Sequence, residues 1–197
     1  MESKLEVLGK KGVFVEGPEG TFATDGKLLA YSREVTKEKR RIEGKRQHFA
    51  DAMEKVIERH EGRESGMVEI GELAIMLKAL RHKTGENTPL LYVRKEGVLL
   101  LSGWTGGNEE EQGLMSAYVE SDKSSGEAEV LLDARYVKKF EPEDGVLFCG
   151  DGFVTYVTKY KGHEYKAILR GLDLKRAEKE KEAIVRELKE YERRWVI

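Results

Sequence analysis

The sequence predicts an α+β fold: a duplicated β-α-β-β-β unit with antiparallel sheets outside and short helices on one face, plus two extra helices. Three observations lead to this prediction. Apolar and polar residues alternate along short segments bounded by Gly, Pro, Asn and Asp, as in half-buried strands. The order of strand and helix patterns occurs twice in succession. Two further stretches place apolar residues at helical spacing outside the repeat.

The first predicted region, 1–35, is a β-hairpin segment. Alternating patterns occupy 12–17 and 21–35, and the second is interrupted at Asp25-Gly26, a dipeptide typical of tight hairpin turns. We therefore expect antiparallel strands here, with the turn at this dipeptide.

The second predicted region, 36–65, is a charged helix followed by a linker. The helix is expected at 45–60, where Phe49, Met53 and Val56 form part of an apolar stripe. A stripe of this kind requires a partner surface, so these three residues are predicted to pack against another helix.

The third region, 66–172, carries the repeat and is the predicted main domain. The first copy has strands at 67–70, 90–95, 97–104 and 114–121 and a helix at 71–83. The second copy has strands at 128–133, 145–150, 152–160 and 163–171 and a helix at 134–140. Because one copy alone is too small to bury both its sheet and its helix, we expect the two copies to share a core.

The last region, 173–197, is a predicted C-terminal helix that begins at Asp173, a residue type common at helix N-caps. Its apolar residues fall on one stripe: Ile184, Leu188, Tyr191 and Trp195. The helix at 45–60 is the expected partner of this stripe, either in the same chain or in a second copy. Pairing between two copies would give a homo-oligomer, which is the expected assembly.

The sequence contains no recognisable catalytic, cofactor or metal motif. The four histidines, His48, His60, His82 and His163, lack the spacing of metal ligands, and surface or helix-end positions are favoured for them. The single cysteine, Cys149, lies in an apolar strand pattern and is expected to be a buried, inert thiol. The least implausible enzyme, a phosphate-directed nuclease using Asp25 and Asp151, competes with the simpler view that both are turn residues beside glycine.

Targeting signals are also missing from the sequence. No apolar run approaches the length of a membrane span, and the first residues lack the apolar stretch of a signal peptide. A cytoplasmic protein with no membrane partner is expected.

Basic residues gather on the one predicted helix of each copy. They are Lys78, Arg81, Lys83, Arg135, Lys138 and Lys139. Because the net charge of the chain is −2, any attraction to nucleic acid must come from such a local face. The pattern fits contact with a phosphate backbone without base reading, and it fits equally well cations placed to suit helix C-termini.

Four segments resemble one known family. ATDGKLLA at 23–30 resembles the ATDGHRLA-type signature of the bacterial sliding clamp, the β subunit of the replicative DNA polymerase. The later segments resemble the last domain of that clamp in the same order: EGVLLLSGWTGG at 96–107, EAEVLLDARYVKKF at 127–140 and EYKAILRGL at 164–172. The resemblance implies a DNA-clamp-like fold, in which helices face duplex DNA and sheets face outward.

The resemblance also implies a function and a binding site. It implies a non-catalytic replication or repair accessory that supports processivity. The six basic helix residues would face the DNA backbone, without sequence preference. An apolar pocket at Thr24, Gly26, Leu29 and Ile168 would accept short peptide motifs of DNA polymerases or repair proteins.

The sequence departs from the family at several points. The signature histidine is Lys27 here, the signature arginine is Leu28, and the chain has little more than one of the family's three domains. A second hypothesis therefore stands beside the first: a clamp fold that serves as a protein-interaction module or inhibitor of replication factors, without encircling DNA.

Overall fold

The computed structural model describes residues 12–17, 20–34, 45–78, 80, 89–105, 112–160 and 162–172. Twelve strands lie within these ranges: β1 Val13–Gly17, β2 Gly20–Thr24, β3 Leu28–Ser32, β4 Gly66–Glu69, β5 Leu90–Arg94, β6 Gly97–Thr105, β7 Gln112–Glu120, β8 Lys123–Gly126, β9 Glu129–Asp133, β10 Val146–Gly150, β11 Phe153–Tyr160 and β12 His163–Arg170. The helices of the same ranges are α1 Lys45–His60, α2 Leu73–Lys78 and α3 Ala134–Lys139.

The strands form two antiparallel sheets. Sheet A has the order β1-β2-β3-β12-β11-β10-β4-β8, and sheet B has the order β7-β6-β5-β9. The α+β prediction with antiparallel sheets is confirmed. Strands β1 to β3 of the first predicted region continue directly into the sheet of the repeat, because β3 pairs with β12.

The two copies of the repeat exchange their first strands. Strand β4 of the first copy pairs with β10 of the second, with Val68 opposite Leu147. Strand β9 of the second copy pairs with β5 of the first, with Leu131 opposite Tyr92. Each copy therefore supplies a strand that completes the sheet of the other.

A single large core joins both copies. Leu73 and Leu77 from α2 and Val137 from α3 are buried in it, together with the inward-facing residues of both sheets. The side chain of Lys138 reaches across from α3, and its Nζ donates a hydrogen bond of 2.7 Å to the carbonyl oxygen of Leu80. These contacts agree with the expectation that the copies share a core.

Helix α1 lies on the opposite, outward face of sheet A. Its residues Ala50, Met53 and Ile57 are buried in a second cluster formed with the outward side chains of β1, β2, β3 and β12. The sheet therefore covers the part of the apolar stripe of α1 that these three residues form. Phe49 and Val56 remain 42% and 36% exposed. The predicted helical partner, 173–197, lies outside the described residues, as do its stripe residues Ile184, Leu188, Tyr191 and Trp195.

Two local differences from the sequence prediction have clear causes. The segment 123–126, which lies between two predicted strands, is itself an edge strand because its backbone pairs with β4, although its side chains do not alternate. Helix α2 begins at Leu73 rather than at Gly71, whose N–H donates instead to Oδ2 of Asp122 at 2.6 Å. In the described part of the chain, no helix combines the length and the apolar composition needed to cross a membrane.

Candidate functional site

A groove of about 530 Å³ opens between α1 and the outward face of sheet A. One wall is formed by the β2–β3 turn and β12, and the other wall is formed by α1. Residues of the β10–β11 turn also line the groove. The groove is the candidate site because it contains all four residues predicted for the pocket: Thr24, Gly26, Leu29 and Ile168.

Strand pairing explains how the sheet wall forms. Ile168 of β12 lies directly opposite Leu29 of β3, and Leu29 lies opposite Thr24 of β2. Side chains of opposed residues project from the same face of a sheet, so these three residues form one row. Leu29 and Ile168 are each 5% exposed, because α1 covers part of the row.

Helix α1 supplies an apolar wall that the family resemblance did not imply. Phe49, Met53 and Val56 line the groove together with Ala52. Their spacing of four and three residues places them on one face of the helix. Met53 is buried against the sheet, whereas Phe49 and Val56 keep exposed apolar surface at the groove.

Polar contacts fix α1 on the sheet. Arg33 at the end of β3 forms a bidentate ion pair with Glu54, at 2.7 and 2.6 Å. The hydroxyl of Tyr31 donates to Oε1 of Glu61 at 2.7 Å, and Nζ of Lys166 lies 3.2 Å from the same oxygen. The hydrogen bond from Tyr31, aided by Lys166, holds the pKa of Glu61 below its usual value. These polar contacts therefore add to the apolar packing that holds the C-terminal half of α1 on the sheet.

The β2–β3 turn positions Gly26 and Lys27 at the groove. Oδ1 of Asp25 accepts hydrogen bonds from the N–H groups of Lys27 and Leu28, at 3.0 and 3.1 Å. Gly26 has a φ of 87°, a left-handed conformation that glycine adopts without strain. The Asp-Gly dipeptide therefore forms the turn expected from the sequence.

The same aspartate connects this turn to α3. The hydroxyl of Tyr136 donates to Oδ2 of Asp25 at 2.6 Å. Burial alone would raise the pKa of Asp25, but the hydrogen bonds from Tyr136, Leu28 and Lys27 outweigh it and hold this pKa below its ordinary value. Burial, together with this carboxylate, raises the pKa of Tyr136. Two segments that carry the family resemblance, 23–30 and 127–140, are thus in direct contact.

Aromatic residues line the end of the groove near the β10–β11 turn. The imidazole of His60 meets the ring of Phe153 edge-on, with centroids 4.4 Å apart. Both residues, and Asp151 in the turn, line the groove. Sequence patterns could not have placed them there, because the position of α1 on the sheet depends on tertiary contacts.

The predicted basic residues lie on and beside the two short helices, and several have partners within the chain. The guanidinium of Arg135 donates twice to the carboxylate of Asp133, at 3.0 and 2.7 Å. Lys138 hydrogen-bonds the Leu80 carbonyl oxygen, as described above. Nζ of Lys139 lies 5.5 Å from the ring centroid of Phe140. Lys78 is exposed at the end of α2, and Arg81 and Lys83 lie outside the described residues.

The residues considered for metal binding or catalysis do not form a site in the described structure. Within the described ranges, no three His, Cys, Asp or Glu side chains are grouped so that they could hold a metal ion. Asp25 is engaged in the turn, and Asp151 is exposed. Cys149 is fully buried, and burial raises the pKa of its thiol to about 12, so the reactive thiolate form is suppressed at neutral pH.

Comparison with known proteins finds similarity of fold alone. No protein-family model and no curated protein sequence matches the chain. The structure of Caulobacter crescentus pol III beta is 15% identical, with a TM-score of 0.49, and the match covers 87% of this chain and 65% of that one. The DNA polymerase III subunit beta from Pseudomonas aeruginosa is 12% identical, with a TM-score of 0.44, over 81% of this chain and 57% of that one.

A third solved structure, the DNA polymerase III subunit beta sliding clamp from Bartonella birtlesii, is 10% identical, with a TM-score of 0.42. That match covers 78% of this chain and 44% of the clamp. The chain thus spans less than two thirds of the length of each of these proteins. All three belong to the family whose motifs the sequence resembles.

Proposed function

We propose that the protein is a non-catalytic, sliding-clamp-like accessory of DNA replication or repair. In this proposal it docks short apolar peptide segments of polymerases or repair proteins in the groove beneath α1. It contacts the backbone of duplex DNA through the basic residues of α2 and α3. The sequence resemblance supplies the family role, and the groove supplies the geometry for its peptide-binding part.

One observation carries the peptide-binding part. The family resemblance assigns Thr24, Gly26, Leu29 and Ile168 to a peptide pocket, and these four residues line a single groove. Most of its other lining residues are apolar as well, and the exposed surfaces of Phe49 and Val56 extend the groove along α1. A concave apolar site of this size, with few polar groups, is typical of ligand-binding pockets.

A substitution on the helix wall tests this part with little risk to folding. Val56→Glu places a charge in the groove, and because Val56 is 36% exposed, the cost to the fold should be small. Leu29→Asp would be a poorer test, since Leu29 is buried and the variant is expected to unfold. Lys55→Glu is the matched control, because it introduces the same side chain at an exposed position of α1 that does not line the groove.

The assay is fluorescence anisotropy with labelled apolar peptides drawn from polymerase tails. We expect the wild type and Lys55→Glu to bind the same peptides and Val56→Glu to bind at least tenfold more weakly, because a charge would be buried against apolar ligand surface. Equal binding by all three proteins would place the peptide site elsewhere and refute the docking role of the groove.

The DNA-contacting part requires its own test, because Arg135 and Lys138 have partners within the chain. Lys78 is the suitable position, since it is exposed at the end of α2. We expect binding to duplex DNA at low salt, weakening as salt rises, and a further loss with Lys78→Glu. Lys123→Glu, on the polar edge strand β8, is the control.

A second candidate function follows from the same observation. If the chain is a protein-interaction module or inhibitor of replication factors, Arg135 and Lys138 serve mainly to form their contacts within the chain, and not to bind DNA. Peptide binding would then persist while DNA binding is absent at every salt concentration. Light scattering on the intact chain completes the comparison, because an accessory that encircles DNA must form a homo-oligomer large enough to close a ring.

A further inference from the structure

We propose that the groove selects peptides that carry an acidic side chain beside their apolar residues, and that Lys27 and Arg170 bind this carboxylate. The inference rests on the peptide-docking function proposed above and specifies the chemistry of the partner. Lys27 occupies the position at which the family signature has histidine, so this chain has a lysine cation at that point of the groove.

Strand pairing places the two cations side by side at the groove. Leu28 lies opposite Leu169, and beyond this pair the N–H of Arg170 donates to the carbonyl oxygen of Lys27 at 2.9 Å. Leu28 and Leu169 point into the core, so the alternation of side chains directs the next pair outward. Lys27 and Arg170 therefore share the face of Leu29 and Ile168, and both line the groove.

This arrangement has an electrostatic cost within the free protein. Like charges directly opposite each other on a sheet repel, and both side chains are exposed without an ion-pair or hydrogen-bond partner among the described residues. Three other cations of the described chain are paired with acids: Arg33 with Glu54, Lys159 with Glu143 and Lys166 with Glu61. A bound carboxylate would remove the repulsion that the folded chain leaves in place.

The nearby acids do not neutralise this pair. The carboxylate of Asp25 already accepts hydrogen bonds from Tyr136 and from its own turn. Asp151 lines the groove but forms no ion pair with a described residue. With Lys27 and Arg170 against Asp151, this end of the groove has a net positive charge, which complements an acidic ligand group.

The strand geometry also sets the spacing within the ligand. Lys27, immediately before β3, and Leu29 within it are two residues apart on one face, which corresponds to roughly 7 Å along a strand. An extended peptide has the same repeat. The acidic residue should therefore lie two positions from an apolar residue that contacts Leu29 and Ile168.

Selection from a random dodecapeptide phage library tests the inference without a known partner. The library is selected on the intact wild-type chain, with counter-selection on Val56→Glu to discard peptides that bind outside the groove. We expect the surviving peptides to be enriched in Asp or Glu two positions from an apolar residue. The enrichment should disappear when the selection is repeated on the Lys27→Gln/Arg170→Gln variant.

Anisotropy on one selected peptide gives the magnitude. Replacing its acidic residue by the corresponding amide should weaken binding to the wild type about fivefold, and less at high salt, as for exposed charge pairs. The Lys27→Gln/Arg170→Gln variant should bind both peptides equally, whereas Lys123→Gln should keep the difference. Because neither cation has a described partner, the double variant should unfold at the same denaturant concentration as the wild type or at a higher one.

The outcomes separate the two proposals. Groove-dependent peptides without acidic enrichment, or with the same enrichment on the double variant, would overturn the inference and leave peptide docking intact. A selection that yields no peptide able to distinguish the wild type from Val56→Glu would overturn the docking function, and the inference with it.

Discussion

Removal of the Tyr136 hydroxyl would show how strongly the β2–β3 turn is coupled to α3. The Tyr136→Phe substitution deletes the 2.6 Å hydrogen bond to Oδ2 of Asp25 and leaves the ring in place. Asp25 keeps its two backbone donors, Lys27 and Leu28, so the turn itself should persist.

The magnitude follows from the charge of the acceptor. A hydrogen bond to a charged group contributes about 1.5–3 kcal/mol, and both groups here are partly exposed, which reduces the value. We therefore expect the free energy of unfolding to fall by about 1–2 kcal/mol at pH 7. A double-mutant cycle with Asp25→Asn should give a coupling energy of about 1 kcal/mol between the two side chains.

The pH dependence supplies an independent check. The pKa of Asp25 in the folded protein lies below the ordinary value of an aspartate, so the unfolded state takes up a proton first as the pH falls. The stabilisation by Asp25 is therefore complete at neutral pH and is lost as the pH falls below that value towards the folded-state pKa. Without the Tyr136 hydroxyl, the folded-state pKa of Asp25 rises, and the two proteins should converge in stability in acid.

Urea denaturation followed by far-UV circular dichroism at pH 7 and near pH 3 measures both effects. Tyr165→Phe is the matched control, because Tyr165 is buried and its hydroxyl makes no hydrogen bond with a described residue. An unfolding free energy unchanged by Tyr136→Phe at pH 7, or a loss that is equally large in acid, would refute the reasoning.

Three further predictions concern stability. The hydroxyl of Tyr156 is buried without a hydrogen-bond partner in the described structure, so Tyr156→Phe should raise the free energy of unfolding by about 1 kcal/mol, measured in urea; a loss would reveal a partner. Gly145→Ala should lower the free energy of unfolding by about 3 kcal/mol or more, because the φ of Gly145 is +66° and the new Cβ would lie 2.1 Å from a backbone oxygen. Gly162→Ala, where the new Cβ would meet open space, should lower it by only about 1 kcal/mol in the same urea titration. Glu54→Gln breaks the half-exposed ion pair with Arg33 and should lower the thermal midpoint by a few degrees, which corresponds to about 0.5–1 kcal/mol. The decrease should be smaller in 1 M salt. A decrease that does not depend on salt would contradict the ion-pair assignment.

Local patterns were sufficient to predict most strands and helices. Short apolar segments bounded by turn residues predicted β5, β6, β10, β11 and β12 within one or two residues. Strands β5 and β6 are buried on both faces and form apolar runs, whereas β11 shows the alternation of a strand with one face in the core. Strand β8 was missed, since its KSSG sequence gains its extended form from pairing with β4 rather than from burial of alternate side chains.

Long-range arrangement was beyond what the patterns contain. The repeat was visible, but the exchange of β4 and β9 between its copies depends on pairings between distant segments. The family resemblance predicted the four pocket residues. It did not predict that α1 forms a wall of the groove, because the apolar stripe of α1 shows only that the helix packs against some partner surface. For the same reason the sequence did not show whether Arg135 and Lys138 face DNA or contact other residues of the chain.

The exchange of first strands also determines when the chain can fold during synthesis. Val68 in β4 lies opposite Ser124 of β8 on one side and Leu147 of β10 on the other, so one edge of β4 stays open until β10 has left the ribosome. Non-local pairing of this kind slows folding and leaves strand edges open in the meantime. The nascent first copy should therefore need protection from aggregation until the second copy is complete, even though β4 is paired on both sides in the finished domain.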